Sequence, residues 1–327
     1  MWILRQRIFG RLHGYARTRR LGLAALAFLC AIVAASCAQA QSCTTTTAAI
    51  AFGSVDVLPG TPIDGTGSIS VSCSGFAANQ KLLLCFGIDN GTYPLSGTSR
   101  QMGFGANRLK FDAYKDAARS IVWTNSGSGL ISVTLTAVSL TAVVPVYARI
   151  FGSQQSAPPG AYTTTLNQPV SGRFYTTGTP PVCGAQPLFG TDTIAVSATV
   201  VSGCNVTTIN LNFGTTSLFL SNIDQTSTIS VTCTNTTPYQ VRIDGGVAAA
   251  TDPTQRKMSL GANKITYGLY RDAPRASPWG STDGTNTQPG TGTSVAIGHT
   301  VYGRIPPQAS QPPGVYTDTV VVTVSFL

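Results

Sequence analysis

Residues 191–204 read Thr191-Asp192-Thr193-Ile194-Ala195-Val196-Ser197-Ala198-Thr199-Val200-Val201-Ser202-Gly203-Cys204. Ile194, Val196, Ala198 and Val200 fall on one face, and Thr193, Ala195, Ser197 and Thr199 on the other. Alternation with a period of two specifies a half-buried β-strand. The stretch lies between two copies of one repeated unit. Its reading decides the fold: it is either an opening strand of the second copy that completes the first copy's sheet, or an ordinary inter-domain strand of a self-contained protein.

The repeat runs the length of the chain. Cys43 and Cys73 are 30 positions apart, and Cys204 and Cys233 are 29 apart. S-I-S-V-S-C at 68–73 answers T-I-S-V-T-C at 228–233, and I-A-F-G at 50–53 answers L-N-F-G at 211–214. R-Q-M-G-F-G-A-N-R-L at 100–109 matches R-K-M-S-L-G-A-N-K-I at 256–265, each with a Trp 23 positions after its Arg (Trp123 and Trp279). Y-A-R-I at 147–150 pairs with Y-G-R-I at 302–305, and P-P-G-A-Y-T at 158–163 with P-P-G-V-Y-T at 312–317. Ordered matches at near-constant offset mark a duplicated domain, since the unit is too long for a solenoid repeat. Short alternating strands between Gly, Pro, Asn and Asp turns predict an all-β sandwich or barrel in each copy, with no amphipathic helix. Trp123, Trp279, Tyr147, Tyr302, Tyr162 and Tyr316 occur in both copies and read as core. The first copy departs after Tyr162, where T-T-T-L-N-Q-P-V-S-G-R-F replaces a clean alternating strand.

Residues 1–40 read as an export signal. Arg5, Arg7, Arg11, Arg17, Arg19 and Arg20 form a basic region, Leu21 to Ala35 an apolar core, and Ala38-Gln39-Ala40 a cleavage site. The apolar core is too short to span a bilayer comfortably, and no later stretch has 18 consecutive apolar residues. A lipoprotein site at Cys37 is disfavoured by Ala34, where such sites carry Leu. The net charge of +9 is mostly this leader's; the remainder holds 15 basic and 12 acidic residues, all Asp, which argues against a nucleic-acid partner.

Cys43, Cys73, Cys85, Cys183, Cys204 and Cys233 remain after Ala40. Six cysteines in an exported chain read as three disulfides, with 15 possible connectivities. The repeat narrows these to Cys43–Cys73 and Cys204–Cys233, leaving Cys85 and Cys183 for each other inside the first copy. A metal site is a poor rival, with no C-x-x-C pair and a single remaining histidine, His299. Enzymatic readings find no G-x-S-x-G elbow, no P-loop, no dinucleotide fingerprint and no recognisable carboxylate pair. His299 reads as a surface or edge residue of a strand. No catalytic role, metal or cofactor is expected.

The C-x(28–29)-C opening, the following F-G, the S-V-S/T-C strand, the L-G-A-N block with its Trp, the Y-x-R-I strand and the closing P-P-G-x-Y-T-D-T-V-V-V-T-V resemble the spore coat protein U domain. This is also the pilin domain of archaic (Csu-type) chaperone–usher pili. The resemblance covers 41–327 twice and is closer in the second copy. It implies two tandem immunoglobulin-like β-sandwich pilin domains, the C-terminal one lacking its last strand. It implies a signal peptide at 1–40, an N-terminal domain at 41–190, a donor-type strand at 191–203 and a C-terminal pilin domain at 204–327. In such pilins the missing strand leaves an apolar groove, filled first by a periplasmic chaperone and then by a neighbour's strand at an outer-membrane usher. Only Gln41 and Ser42 stand between Ala40 and Cys43, so the first copy is expected to have no strand to donate. The second has Ile194, Val196, Ala198 and Val200, and its own end at 320–327 leaves no chain for a final strand.

The expected function is therefore that of a pilus-tip adhesin at the cell surface, mediating attachment and biofilm formation. Its expected partners are the chaperone, the usher, an adjacent pilin and an abiotic or host surface. A spore-coat or cell-surface matrix protein without a fibre is the alternative, and a sugar-binding tip is a variant of the first reading. Adhesion without a chemical substrate needs exposed apolar groups on loops. Candidates peculiar to the first copy are Tyr93 and Leu95 in 91–97, Ile121 and Val122 before Trp123, and Leu188 and Phe189 in 185–190. Burial in the core or under a loop is the bland alternative for each.

Overall fold

A computed structural model describes residues 41–176, 178–184 and 186–326; the leader and its cleavage site lie outside the described residues. The fold is all β, and the one helical turn described is a 3-10 turn at Gly127–Gly129. The first half supplies β1 (Ser42–Ala48), β2 (Ile50–Val55), β3 (Ile63–Ser74), β4 (Lys81–Phe86), β5 (Arg100–Phe104), β6 (Asn107–Tyr114), β7 (Ile131–Thr136), β8 (Thr141–Ile150), β9 (Gly160–Tyr175) and β10 (Leu188–Val200). The second supplies β11 (Cys204–Thr208), β12 (Ile223–Cys233), β13 (Pro238–Ile243), β14 (Arg256–Leu260), β15 (Asn263–Tyr270), β16 (Gln288–Thr291), β17 (Ile297–Ile305) and β18 (Val322–Phe326).

In the first half one layer runs β1-β3-β8-β6-β5 and the other holds β7, β4, β9, β10 and β2. A single pairing, Gly103 with Thr163, joins the layers between β5 and β9. The second half repeats this plan with β11-β12-β17-β15-β14 facing β16-β13-β18. Each described strand of the second half has a counterpart in the first. The reverse fails at two strands, since no described strand corresponds to β10 or β2. Cys43–Cys73 and Cys204–Cys233 fasten the first strand of each half to its neighbour, and Cys85–Cys183 ties β4 to the segment after β9.

Each sandwich fills its interior in the same way. Trp123 and Trp279 are fully buried. Their indole N–H groups donate to Phe86 O (3.0 Å) and Val241 O (2.9 Å). A buried guanidinium then donates to each Trp carbonyl, Arg100 to Trp123 and Arg256 to Trp279. A buried cation is costly unless its donors are met. Arg100 is met by Asp112 and by the Asp89 and Ile88 carbonyls. At the position of Asp112 the second half has Gly268, and Arg256 uses carbonyls alone, those of Asp244, Pro253 and Ile243 besides Trp279. The tyrosines of the two P-P-G-x-Y corners also match, Tyr162 donating to Pro158 O at 3.0 Å and Tyr316 to Pro312 O at 2.8 Å.

Three features differ from the sequence reading. The stretch after Tyr162 is one unbroken 16-residue strand, β9, in which Thr164 and Gln168 are buried in line with Leu166 and Val170. β10 pairs with both residues on one edge, and on the other Thr92 and Asp89 of the preceding loop bond to Thr164, Thr165 and Asn167. Tyr147 and Tyr302 lie on the outer faces of β8 and β17, beneath Arg119 (5.8 Å to the ring centre) and Arg275 (5.7 Å). They alternate with the buried Val146 and Val301, and stacked guanidinium groups replace core packing. The alternating strand that opens the second copy begins at Leu188 rather than Thr191, with a register shift between Leu188 and Gly190.

Since Ile194 is fully enclosed, Ile194→Ala should cost about 2–5 kcal/mol of stability through lost burial and the cavity left behind. The outward-facing Thr199→Ala should cost less than about 0.5 kcal/mol. Denaturant titration of the two variants measures both.

Candidate functional site

The two sandwiches differ at one slot. In the first, β10 lies between β9, to which it is antiparallel, and β2, to which it is parallel. Register places Ile194 opposite Leu166, Val196 opposite both Thr164 and Ile50, Ala198 opposite Tyr162, and Val200 opposite Gly160 and Val55. All four side chains are buried, and they cover Ile50, Tyr162, Leu166 and Val170. The backbone of β9 is thereby paired along its length, leaving no open edge there.

In the second sandwich the equivalent residues are Leu211 and Phe213 on one wall and Tyr316, Val320 and Val324 on the other. All five are only half-buried against their core. Residues 209–220 form no strand, and the backbone of 315–321 pairs with the opposite layer at one bridge, Thr317 to Ser259. Side chains hold this region in place. Asp318 accepts from Val247 N (2.9 Å) and from the Tyr267 hydroxyl (2.7 Å), and Asp244 accepts from Val321 N (2.9 Å). β18 is the edge of its sheet, beside a trough lined by apolar residues. An edge strand over an apolar trough is what an added strand recognises: backbone pairing gives affinity and alternate side chains fill the trough.

The other end of the first sandwich gathers its loops. Leu188 faces Ser171, Lys81 faces both Tyr175 and Thr136, and Ser72 faces Thr141. The loops around 75–80, 137–140 and 178–187 therefore share the end opposite Val200. Val138 (96% exposed), Val182 (80%) and Leu188 (63%) stand in solvent there. Phe76, Phe174 and Phe189 form a chain of rings beneath them, with centres 5.3 and 6.1 Å apart. Cys183 anchors this end to β4 through Cys85.

The six apolar residues singled out in the sequence occupy three places. Leu188 and Phe189 belong to this end. Tyr93 lies against Gly103, so close that a side chain at 103 would strike its ring, and Arg108 stacks over that ring at 4.2 Å. Leu95, on the same segment, is exposed. Ile121 and Val122 are exposed beside β6, held by bonding of Lys115 N to Ile121 O and by pairing of Val122 with Tyr114. Val138 and Val182 were missed because a single Val between Ala and Ser, or between Pro and Cys, carries no periodic signal. Their exposure follows from strand register alone. Among the described residues, no group of three or more His, Cys, Asp or Glu is placed to hold a metal ion.

The two sandwiches thus share one plan and differ where β10 and β2 close the first, since no described strand fills the matching place in the second. The chain belongs to the Spore Coat Protein U domain family, whose profile matches residues 29–168 and 190–323. It is 33% identical over 128 residues to Protein U of Myxococcus xanthus, covering 36% of this chain and 71% of that one. Among solved structures it resembles a chain of the CsuC-CsuE chaperone-tip adhesion subunit pre-assembly complex from archaic chaperone-usher Csu pili of Acinetobacter baumannii. The TM-score is 0.53 at 19% identity, over 87% of this chain and all of that one. The fold is thus that of a chaperone–usher pilus subunit.

His299, read from the sequence as a surface or edge residue, is half-buried between the layers. Its Nε2 lies 2.8 Å from the Tyr239 hydroxyl, and its ring is edge-on to Trp279. Val144 holds the matching place in the first sandwich and is buried among apolar groups. Burial lowers the His299 pKa below its ordinary value. The folded state therefore disfavours the proton. Stability is full above the unfolded value of about 6.5 and declines as pH falls below it. Replacing His299 with Val should flatten this decline between pH 7.5 and 5, as read by thermal unfolding at the two pH values.

Proposed function

We propose that the protein is the adhesive tip subunit of a chaperone–usher pilus, assembled by donor-strand complementation. The observation that carries the reading is the contrast between the slots. The strand that the second sandwich would offer a neighbour, β10, is consumed inside the chain, while the second sandwich's own slot awaits a strand. Such a subunit accepts without donating and belongs at a fibre's end. On this reading residues 1–40 direct export and are removed after Ala40. A periplasmic chaperone covers the open slot until an outer-membrane usher exchanges it for the strand of an adjacent pilin. The first sandwich then meets an abiotic or host surface, supporting attachment and biofilm formation, and its chemistry is contact rather than catalysis. The cluster at Val138, Val182, Leu188 and Phe189 is the contact surface this reading favours, because exposed apolar loops on a rigid sheet lose water on contact without losing order.

A second reading, a coat or surface-matrix protein without a fibre, is favoured by the family's name and by the identity with Protein U. Hydrogen exchange on the full chain, with and without a peptide of an alternating pilin N-terminal strand, separates the two. The tip reading expects new protection along 209–216 and 315–324 and a higher melting temperature. A chain that ignores the peptide belongs to the second reading.

Cells displaying a Val138→Asp, Val182→Asp, Leu188→Asp triple variant should attach to apolar surfaces at least about tenfold less, given about 1.5–3 kcal/mol per buried apolar side chain. Surface display should be unchanged, as measured by antibody labelling. Undiminished attachment would remove these loops from the contact.

A further inference from the structure

A cleft of about 390 Å³ opens on the first sandwich, lined by Ser99, Arg108, Lys110, Gln154, Ser156 and Ala157 among others. Its framework is tied by hydrogen bonds. Gln154 Oε1 accepts from Lys110 N at 2.6 Å, and Gln154 Nε2 donates to Lys110 O (2.9 Å) and Phe151 O (2.8 Å). Ser153 turns the loop in the left-handed region, with φ of 58°. The same loop is gripped from the second sandwich, where Asn235 Nδ2 donates to Ser156 O at 2.9 Å and the Ser294 hydroxyl to Gln155 O.

Two cations face this cleft from alternate positions of β6. Arg108 is preset by stacking on Tyr93 and by bonds from Nη1 to Gly105 O and Asn107 O, both 2.8 Å. Lys110 reaches the cleft two residues on. No ion pair among the described residues involves either of them, and no acidic residue lines the cleft. The duplicated half supplies an internal comparison. Gln308 clamps Thr266 as Gln154 clamps Lys110, with bonds of 2.9 Å to its N and O. There Lys264 stands for Arg108, Thr266 stands for Lys110, and the Thr266 hydroxyl is already taken by Lys257. The scaffold is shared; the pair of cations without an ion-pair partner belongs to the first sandwich.

We propose that this cleft binds an anionic saccharide, a sugar carrying a carboxylate or a phosphate. The Arg108 fork and the Lys110 ammonium meet the acid group, and charge-assisted bonds of this kind are the strong ones. Ser99, Ser156 and the loop backbone supply partners for ring hydroxyls. Arg108 is already ordered by Tyr93, which lowers the entropic cost of binding. The inference goes beyond attachment through apolar loops and does not rest on it.

Calorimetry on the full exported chain tests the site with oligogalacturonate, inorganic phosphate and neutral maltohexaose as probes. Oligogalacturonate should bind, more weakly as salt rises. Arg108→Gln with Lys110→Thr should weaken it by about tenfold or more, while Lys264→Gln in the second sandwich leaves it unchanged. Lys110→Thr alone installs the residue that the second sandwich carries on the same clamp, and it should give a partial loss in a fold that holds. Phosphate binding lost in the same variants, without oligogalacturonate binding, assigns the phosphate form of the ligand. Binding of neither anion, equal binding of maltohexaose, or affinity unmoved by the double variant overturns the site. Attachment to apolar surfaces is expected to be normal in all three variants, so this result and that of the loop variants read separately.

Discussion

Every peptide group of a strand carries a donor and an acceptor, and a strand laid over an apolar core must pair them on both edges or leave them open to another chain. That constraint organises this molecule. In the first sandwich β9 is paired on one side by β4 and on the other by β10. The core beneath closes over Ile50, Tyr162 and Leu166. In the second the corresponding wall is held on one side only, by β13, by the Thr317–Ser259 bridge and by bonds of Asp244 and Asp318, and the residues that would line a closed core stay half in water. The same sequence plan thus yields one finished and one unfinished sandwich, and the difference is β10 together with β2, the short strand it pairs.

Much of this was legible in the residues. The spacing of Cys43 to Cys73 and of Cys204 to Cys233 survives duplication because each pair bridges adjacent strands with Cα atoms about 4 Å apart. The alternation of Ile194, Val196, Ala198 and Val200 shows because one face of β10 is dry and the other wet. Legibility fails where long-range pairing overrides local pattern. Thr164 and Gln168 read as an interruption, yet β10 on one edge and a distant loop on the other hold them in line; Thr164 accepts from Thr92 N, a partner 72 residues away. Val138 and Val182 gave no signal, since exposure of a lone valine depends on which loops share a sheet end. The cleft at Arg108 and Lys110 was invisible for the same reason, because its far wall comes from residues 151–157.

The duplication also shows which interactions the fold requires and which it tolerates. The Trp carbonyl bound by a buried Arg, the Gln clamp and the tyrosine corner recur in both halves. The carboxylate beside Arg100 does not: Gly268 takes the place of Asp112, and carbonyls suffice for Arg256. Backbone acceptors can therefore meet the donors of a buried guanidinium in this fold without a directly paired carboxylate. The outer-face ion networks Arg119–Asp64–Arg149 and Arg275–Asp224–Arg304 match closely. Both bind neighbouring strands across the twist of the sheet, and their partial exposure limits what each adds to stability.

The path of β10 has a mechanical consequence. The strand enters from the loops pinned by Cys183 and leaves through three residues, Val201 to Gly203, into the second sandwich at Cys204. A pull between the end loops and the second sandwich therefore runs along the strand's own axis. Its bonds to β9 and β2 lie across that axis, so they carry the load together, in shear, rather than opening one after another like a zip. The element that closes the first core is also the cable through which tension passes, and the geometry that buries its side chains makes it hard to draw out.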